Sequence, residues 1–140
     1  NGSDDIIALL VRALIRPGDR VVVPRPSFLM YDITAAAAGA VIDAVPLQEM
    51  AMDLAAMAAA VTADTRLVFV CNPNNPTGTV VTQAAFDRFT RRQQALREDL
   101  PAENTLRSNI TADTTEQVVL QCLDFHQFQQ FLEGVVLAAH

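Results

Sequence analysis

Two short segments hold residue types at a spacing that could do chemistry. The first, Asn1-Gly2-Ser3-Asp4, opens a helix-patterned stretch. A helix N-terminus leaves backbone N–H groups unpaired at the positive end of the dipole, so a glycine and a hydroxyl there would let a phosphate approach. The same trio also makes an ordinary helix cap. The second segment is Cys71-Asn72-Pro73-Asn74-Asn75-Pro76-Thr77-Gly78, directly after the apolar run Leu67 to Val70. Two prolines and a glycine fix its backbone path, and X-Pro bonds after Asn can be cis, which would aim an amide at one point. A tight structural turn is the plainer alternative, but such a turn does not need Asn-Asn-Pro-Thr-Gly in that order.

Other constellations are weaker. Cys122 and His126 stand four apart on a helix-patterned stretch, but two ligands do not complete a metal site, and no metal is expected. Asn109-Ile110-Thr111 matches a glycosylation acceptor, which matters only on secretion. Asp43, Asp53 and Asp64 fall on different elements and read as solvated carboxylates.

Ile6, Ile7, Leu10, Ala13 and Leu14 recur at helical spacing after Ser3, the expected N-cap, and the helix should stop at Arg16-Pro17-Gly18-Asp19. Val21 to Val23, closed by Pro24, reads as a strand buried on both faces. Phe28 to Ala38 is helical and ends at Gly39; Ala40 to Val45 is a strand, Asp53 to Val61 a helix, and Leu67 to Val70 a strand. Thr82 can cap a fourth helix running to about Arg97. Strands alternating with helices of about ten residues predict an α/β fold, a parallel sheet covered by helices. Beyond it, Val118, Cys122, Phe125, Leu132 and Val136 keep helical spacing, so a mainly helical C-terminal tail without strands is expected.

Composition supports a packed chain. Of 140 residues, 51% are apolar and 19% charged, too apolar for a disordered segment. A formal charge of −6 offers no basic surface for a phosphate backbone, so nucleic acid is not an expected partner. No run approaches the roughly 20 apolar residues of a membrane span, nothing resembles a signal peptide, and two cysteines make no disulfide framework, so a cytoplasmic location is expected. All ten residues counted as Lys+Arg are Arg. The chain has no lysine.

Three motifs in order carry a family resemblance: Asn1-Gly2-Ser3-Asp4-Asp5-Ile6-Ile7, Pro24-Arg25-Pro26-Ser27-Phe28-Leu29-Met30-Tyr31, and Cys71-Asn72-Pro73-Asn74-Asn75-Pro76-Thr77-Gly78. Over about residues 1–87 the chain resembles the class I/II aminotransferases, pyridoxal-phosphate enzymes of fold type I, and within them the histidinol-phosphate aminotransferases. The resemblance implies part of the three-layer α/β sandwich of the family's large domain, and a helical tail at 88–140 that does not match it. It implies pyridoxal 5'-phosphate as cofactor, with Gly2, Ser3 and Asp4 at its phosphate, Phe28 stacked on its pyridine ring and Asn75 hydrogen-bonded to its phenolic oxygen. The implied partners are a small-molecule amino donor such as histidinol phosphate, a 2-oxo acid such as 2-oxoglutarate, and a second subunit, since the family forms homodimers.

The family's chemistry runs through a lysine amine, and an arginine, which stays protonated, does not replace it. The family's aspartate for the pyridine nitrogen, the tyrosine beyond it and a carboxylate-binding arginine have no counterpart here either. The expectation is therefore a piece of such an enzyme, either truncated or rearranged with a tail from elsewhere, or one piece of a split enzyme completed by another chain, inactive alone and with no catalytic residue of its own. The alternative from another class is a non-catalytic scaffold or interaction protein that uses an amphipathic helix from Val118 to Val136. Parallel strands without neighbours should also favour self-association.

Overall fold

The computed structural model describes residues 2–98 and 118–121. In chain order the elements are α1 (Ser3–Leu14), β1 (Arg20–Arg25), α2 (Leu29–Ala37), β2 (Val41–Pro46), α3 (Leu54–Ala60), β3 (Thr65–Val70), α4 (Gln83–Glu98) and β4 (Val118–Gln121). The strands form one parallel sheet in the order β2-β1-β3-β4.

The alternation of side chains along β1 and β3 builds both sides of this sheet. Val21, Val23, Leu67 and Phe69 face one way and pack with Ile7, Val11 and Ile15 at α1 and Tyr31 and Ala35 of α2. Val22, Val68 and Val70 face the other way and pack with Met57 and Ala58 of α3 and Phe89 of α4. Burial on both faces explains why Val-Val-Val and Leu-Val-Phe-Val read as unbroken apolar runs. The arrangement is a helix-sheet-helix sandwich, as the sequence predicts.

The crossovers follow from the strand order. The chain leaves β1 through α2 to β2, then returns past β1 through α3 to β3. Right-handed crossovers in opposite directions place the helices on opposite faces. The direction of winding therefore reverses between β1 and β3, and the crevice beyond the carboxyl ends of these two strands is where an open α/β sheet binds ligands.

Element limits differ from the sequence reading at informative places. The strand β1 continues through Pro24 to Arg25, paired with β2 at Pro24↔Val45 and Arg25↔Pro46. On its other side the β1–β3 ladder ends at Val22↔Val68, and Pro24 has no N–H with which to extend it. Helix α1 begins at Ser3, and its N-cap is Gly2 at φ 78 and ψ −157, a conformation that glycine adopts without the cost of a Cβ. Ser3 is thus the first helical residue and not the cap. Asp53 is no solvated bystander, for its carboxylate caps α3 by accepting from the N–H groups of Ala55 and Ala56 at 3.0 and 2.9 Å.

The largest correction lies in the tail. Val118–Gln121 is a strand, paired in parallel with β3 from Leu67↔Val118 to Val70↔Gln121. Valine and leucine at successive positions suit a strand beside a buried neighbour, and pairing with β3 overrides the helical spacing that Val118 and Cys122 suggest. The other tail readings, including Cys122, His126, Asn109 and the apolar stripe beyond Gln121, lie outside the described residues. Among the described residues no helix is long and apolar enough to cross a membrane, and no cluster of three His, Cys, Asp or Glu side chains could hold a metal ion.

Candidate functional site

All three motif segments reach the carboxyl edge of the sheet. Phe28 follows β1 directly as the N-cap of α2, and the loop from Cys71 follows β3. Helix α1 ends just before β1 begins and packs back along the sheet, so its N-terminus points to the same edge. Its twelve residues span about 18 Å at ~1.5 Å each. The six residues of β1 span about 20 Å at ~3.3 Å each, so the two elements end nearly level.

At the start of α1, Gly2, Ser3 and Asp4 are exposed. Among the described residues no side chain caps this helix, so the N–H groups of Ser3 and Asp4 lack an intrahelical partner. No atom comes within 4 Å of a Cβ built on Gly2, which leaves open space beside them. Asp4 can offer a donor only through its backbone, because a carboxylate accepts and does not donate.

Phe28 is half-buried. It packs against the core that contains Ile7, one turn into α1, and its ring meets Tyr31 edge-on at 5.7 Å and 86°. Tyr31 in turn stacks on Phe69 of β3 at 4.2 Å and 17°. This line of rings anchors the Phe28 side chain to the sheet while leaving part of it open.

The loop after β3 is clamped by two asparagines. At its base, Asn72 donates from Nδ2 to the Val81 carbonyl at 3.0 Å and accepts at Oδ1 from the Val81 N–H at 2.8 Å, as a backbone pair would. Nearer the tip, Asn74 is 2% exposed. Its Nδ2 donates to the Pro26 carbonyl at 3.2 Å and to Thr77 Oγ1 at 2.8 Å, while Oδ1 accepts from Ser27 Oγ at 2.8 Å. These bonds tie the loop after β3 to the loop after β1, closing the gap that opens beyond Val22 and Val68. The Asn72-Pro73 and Asn75-Pro76 bonds are both cis, as is Arg25-Pro26.

Asn75 is different. It is exposed, and among the described residues its amide has no hydrogen-bond partner. The arrangement thus offers three kinds of contact along one edge: the helix-start N–H groups of Ser3 and Asp4 suited to an anion, an aromatic face suited to a flat ring, and a spare amide suited to an oxygen anion. Ser27, Asn74, Thr77 and Thr79 are functional candidates that sequence reasoning passes over. The available signal was a pair of threonines, Thr77 and Thr79, just after a proline-constrained asparagine pair.

Charged side chains are paired at both edges. At the amino edge of the sheet, Arg20 Nε donates to Asp43 Oδ2 at 2.8 Å and its terminal nitrogen contacts Oδ1, a two-pronged pair that raises the Arg20 pKa above its usual value. Asp43, read from sequence as solvated, is therefore committed to this pair. At the carboxyl edge, Arg25 pairs with Asp32 of α2.

A parallel sheet with reversed winding, covered by helices on both faces, is an open α/β fold, and its donors lie beyond the switch point. Residues 1–97 match the family model for aminotransferase class I and II. The chain belongs to that family. It is 53% identical over 91 residues to a histidinol-phosphate aminotransferase of Moorella thermoacetica, covering 65% of this chain and 24% of that protein. It is 52% identical over 89 residues to an aromatic amino acid aminotransferase of Corynebacterium glutamicum, covering 63% and 26%. Histidinol-phosphate aminotransferase of Sinorhizobium meliloti, solved in complex with pyridoxal-5'-phosphate, shares the fold at a TM-score of 0.64 and 22% identity, covering 84% of this chain and 27% of that one. The chain thus spans about a quarter of the length of the curated relatives it matches.

Proposed function

We propose that this chain supplies one wall of a pyridoxal-phosphate pocket in an aminotransferase that moves an amino group between a small amino compound, such as histidinol phosphate, and a 2-oxo acid such as 2-oxoglutarate. The observation that carries this reading is the convergence of the α1 N-terminus, Phe28 and Asn75 on the carboxyl edge at the switch point. Family membership supports the cofactor class, and the relatives' names support the substrate class. Every proposed contact lies within residues 1–87, which we take as the cofactor-holding part, while Phe89 of α4 and strand β4 carry the same sheet and core beyond it. Homodimer formation and a cytoplasmic setting belong to the same proposal.

The residues present suit the cofactor group by group. The backbone N–H groups of Ser3 and Asp4, with the Ser3 hydroxyl, would donate to the phosphate, and Gly2 leaves room for it to approach. Phe28 would lie against the ring. Asn75 Nδ2 would donate to the phenolic oxygen and favour its ionised form. When bound, the cofactor supplies an aldehyde that condenses with amines and a ring that draws electrons from them.

The chain's own residues go no further than binding and orientation. With no lysine, these 140 residues offer no side-chain amine to link to the aldehyde or to carry the substrate proton, and a guanidinium stays protonated. The purified chain should therefore release no glutamate in a coupled transamination assay with pyridoxal phosphate, histidinol phosphate and 2-oxoglutarate. Turnover by this chain unaided would overturn the proposal that it acts as a pocket wall only.

A further inference from the structure

We propose that Asn74, Thr77 and Thr79 are positioning residues, a hydrogen-bonded rail that sets where Asn75 presents its amide. This inference rests on the pyridoxal-phosphate reading above and concerns residues that contact no ligand in it.

The rail has a single direction, which its chemistry dictates. The Pro26 carbonyl can only accept, so the Asn74 group facing it must be the NH2. That same nitrogen gives its second proton to Thr77 Oγ1 at 2.8 Å. Thr79 Oγ1 gives its one proton to the Met50 carbonyl at 2.9 Å. The Thr77 hydroxyl therefore accepts from Asn74 and donates to Thr79 Oγ1, 2.9 Å away. Ser27 completes the set by donating to Asn74 Oδ1. Reversing any link would set two protons, or two lone pairs, against each other.

The anchors at both ends are firm. Met50 lies in the turn after β2, where Gln48 and Ala51 exchange N–H to carbonyl bonds of 2.9 and 2.8 Å and both Glu49 and Met50 have positive φ. At the other end, Pro26 and Ser27 follow β1. The rail thus joins the loops after β1, β2 and β3. Backbone bonds wrap the same place, since the Asn74 N–H donates to the Thr79 carbonyl at 2.8 Å and the Gly78 N–H to the Asn74 carbonyl at 2.7 Å.

Asn75 is thereby held from its neighbours on both sides, Asn74 before it and Thr77 after it, while its own amide stays uncommitted. A purpose limited to closing the turn would be served by the backbone bonds alone. Side-chain links to two other loops add something a turn does not need, a fixed distance between Asn75 and the residues that follow β1. The rail is also uncharged, so it places a donor beside a phenolate without a carboxylate that would repel it.

The test uses the 140-residue chain in two arms. The first, without cofactor, measures amide hydrogen exchange at Asn74 and Gly78. The second titrates with pyridoxal phosphate and follows its absorbance, which reports affinity and the ionisation of the phenol. Thr77→Val keeps the shape and removes the hydroxyl. It should speed exchange and weaken binding, each by about tenfold, the worth of about one hydrogen bond. It should also move the phenol spectrum toward that of free cofactor, and Thr77→Ser should restore all three. Thr79→Val, further from Asn74, should act in the same direction and serves if Thr77→Val does not fold. Unchanged exchange in the valine variants, or wild-type binding by them while Asn75→Ala loses it, would overturn the rail and leave the pocket reading intact. Failure of the unaltered chain to bind would instead overturn the pocket reading, and the rail's purpose with it.

Discussion

The two edges of the sheet differ in how their loops are joined. The amino edge is closed by charge: Arg20 is bound to Asp43, Arg66 lies 3.8 Å from Asp19, and Asp19 also accepts from the Arg16 N–H at 2.8 Å. The loops joining the strands at the carboxyl edge are tied to one another by neutral amides and hydroxyls, with Asn74 as the hub; the ion pair there, Arg25–Asp32, joins β1 only to the helix that follows it, and this edge leaves α1 without a side-chain cap and the Asn75 amide spare. Both edges are well bonded, so the contrast is not one of stability. Ion pairs consume their own charges and hold the turns shut, whereas a neutral network can fix donors in place and leave the local field to a ligand.

That contrast can be broken or sharpened by substitution. Phe69→Ala removes a fully buried ring that stacks on Tyr31 in the layer between the edges. It should cost about 3–5 kcal/mol and lower both stability and pyridoxal-phosphate affinity, as denaturant unfolding and titration would record. A loss confined to affinity would mean that the ring line serves the pocket alone. Gly39→Ala acts at the amino edge, where φ is 76 and a Cβ would sit 3.2 Å from that of Pro17. Chemical unfolding should show a cost of about 1–2 kcal/mol from the left-handed backbone, with affinity unchanged once the chain is folded. Asp43→Ala should have the smallest effect, a slight fall in melting temperature that fades in molar salt. A salt-independent fall, or any change in cofactor affinity, would show that the edges are not separate.

Much of this architecture is legible in the sequence because local and global signals agree. Val21 to Val23 and Leu67 to Val70 have only one buried arrangement, in the middle of a sheet covered on both faces, and Ile7 with Val11 mark the inner face of α1. The three motifs locate the site edge because each adjoins a clear element end. What stayed hidden depends on contacts between segments far apart in sequence. Val118–Gln121 carries a spacing that suits a helix, and its partner β3 is some fifty residues away. The Asn74 hub needs Pro26 and Ser27, which precede it by 48 and 47 positions. Nothing local to Asp43 announces Arg20, its neighbour only once β1 and β2 align in register, where Val22 stands opposite it.

The central claim is that the carboxyl edge, with Asn75 as its spare donor, holds pyridoxal phosphate without a covalent link. Equilibrium titration of the 140-residue chain with the cofactor, set beside Asn75→Ala, tests it most directly. The account predicts saturable binding by the unaltered chain, weakened about tenfold by the loss of one hydrogen bond to a charged oxygen, with both proteins melting at the same temperature. Absence of saturable binding, or equal binding by the two proteins, would contradict it.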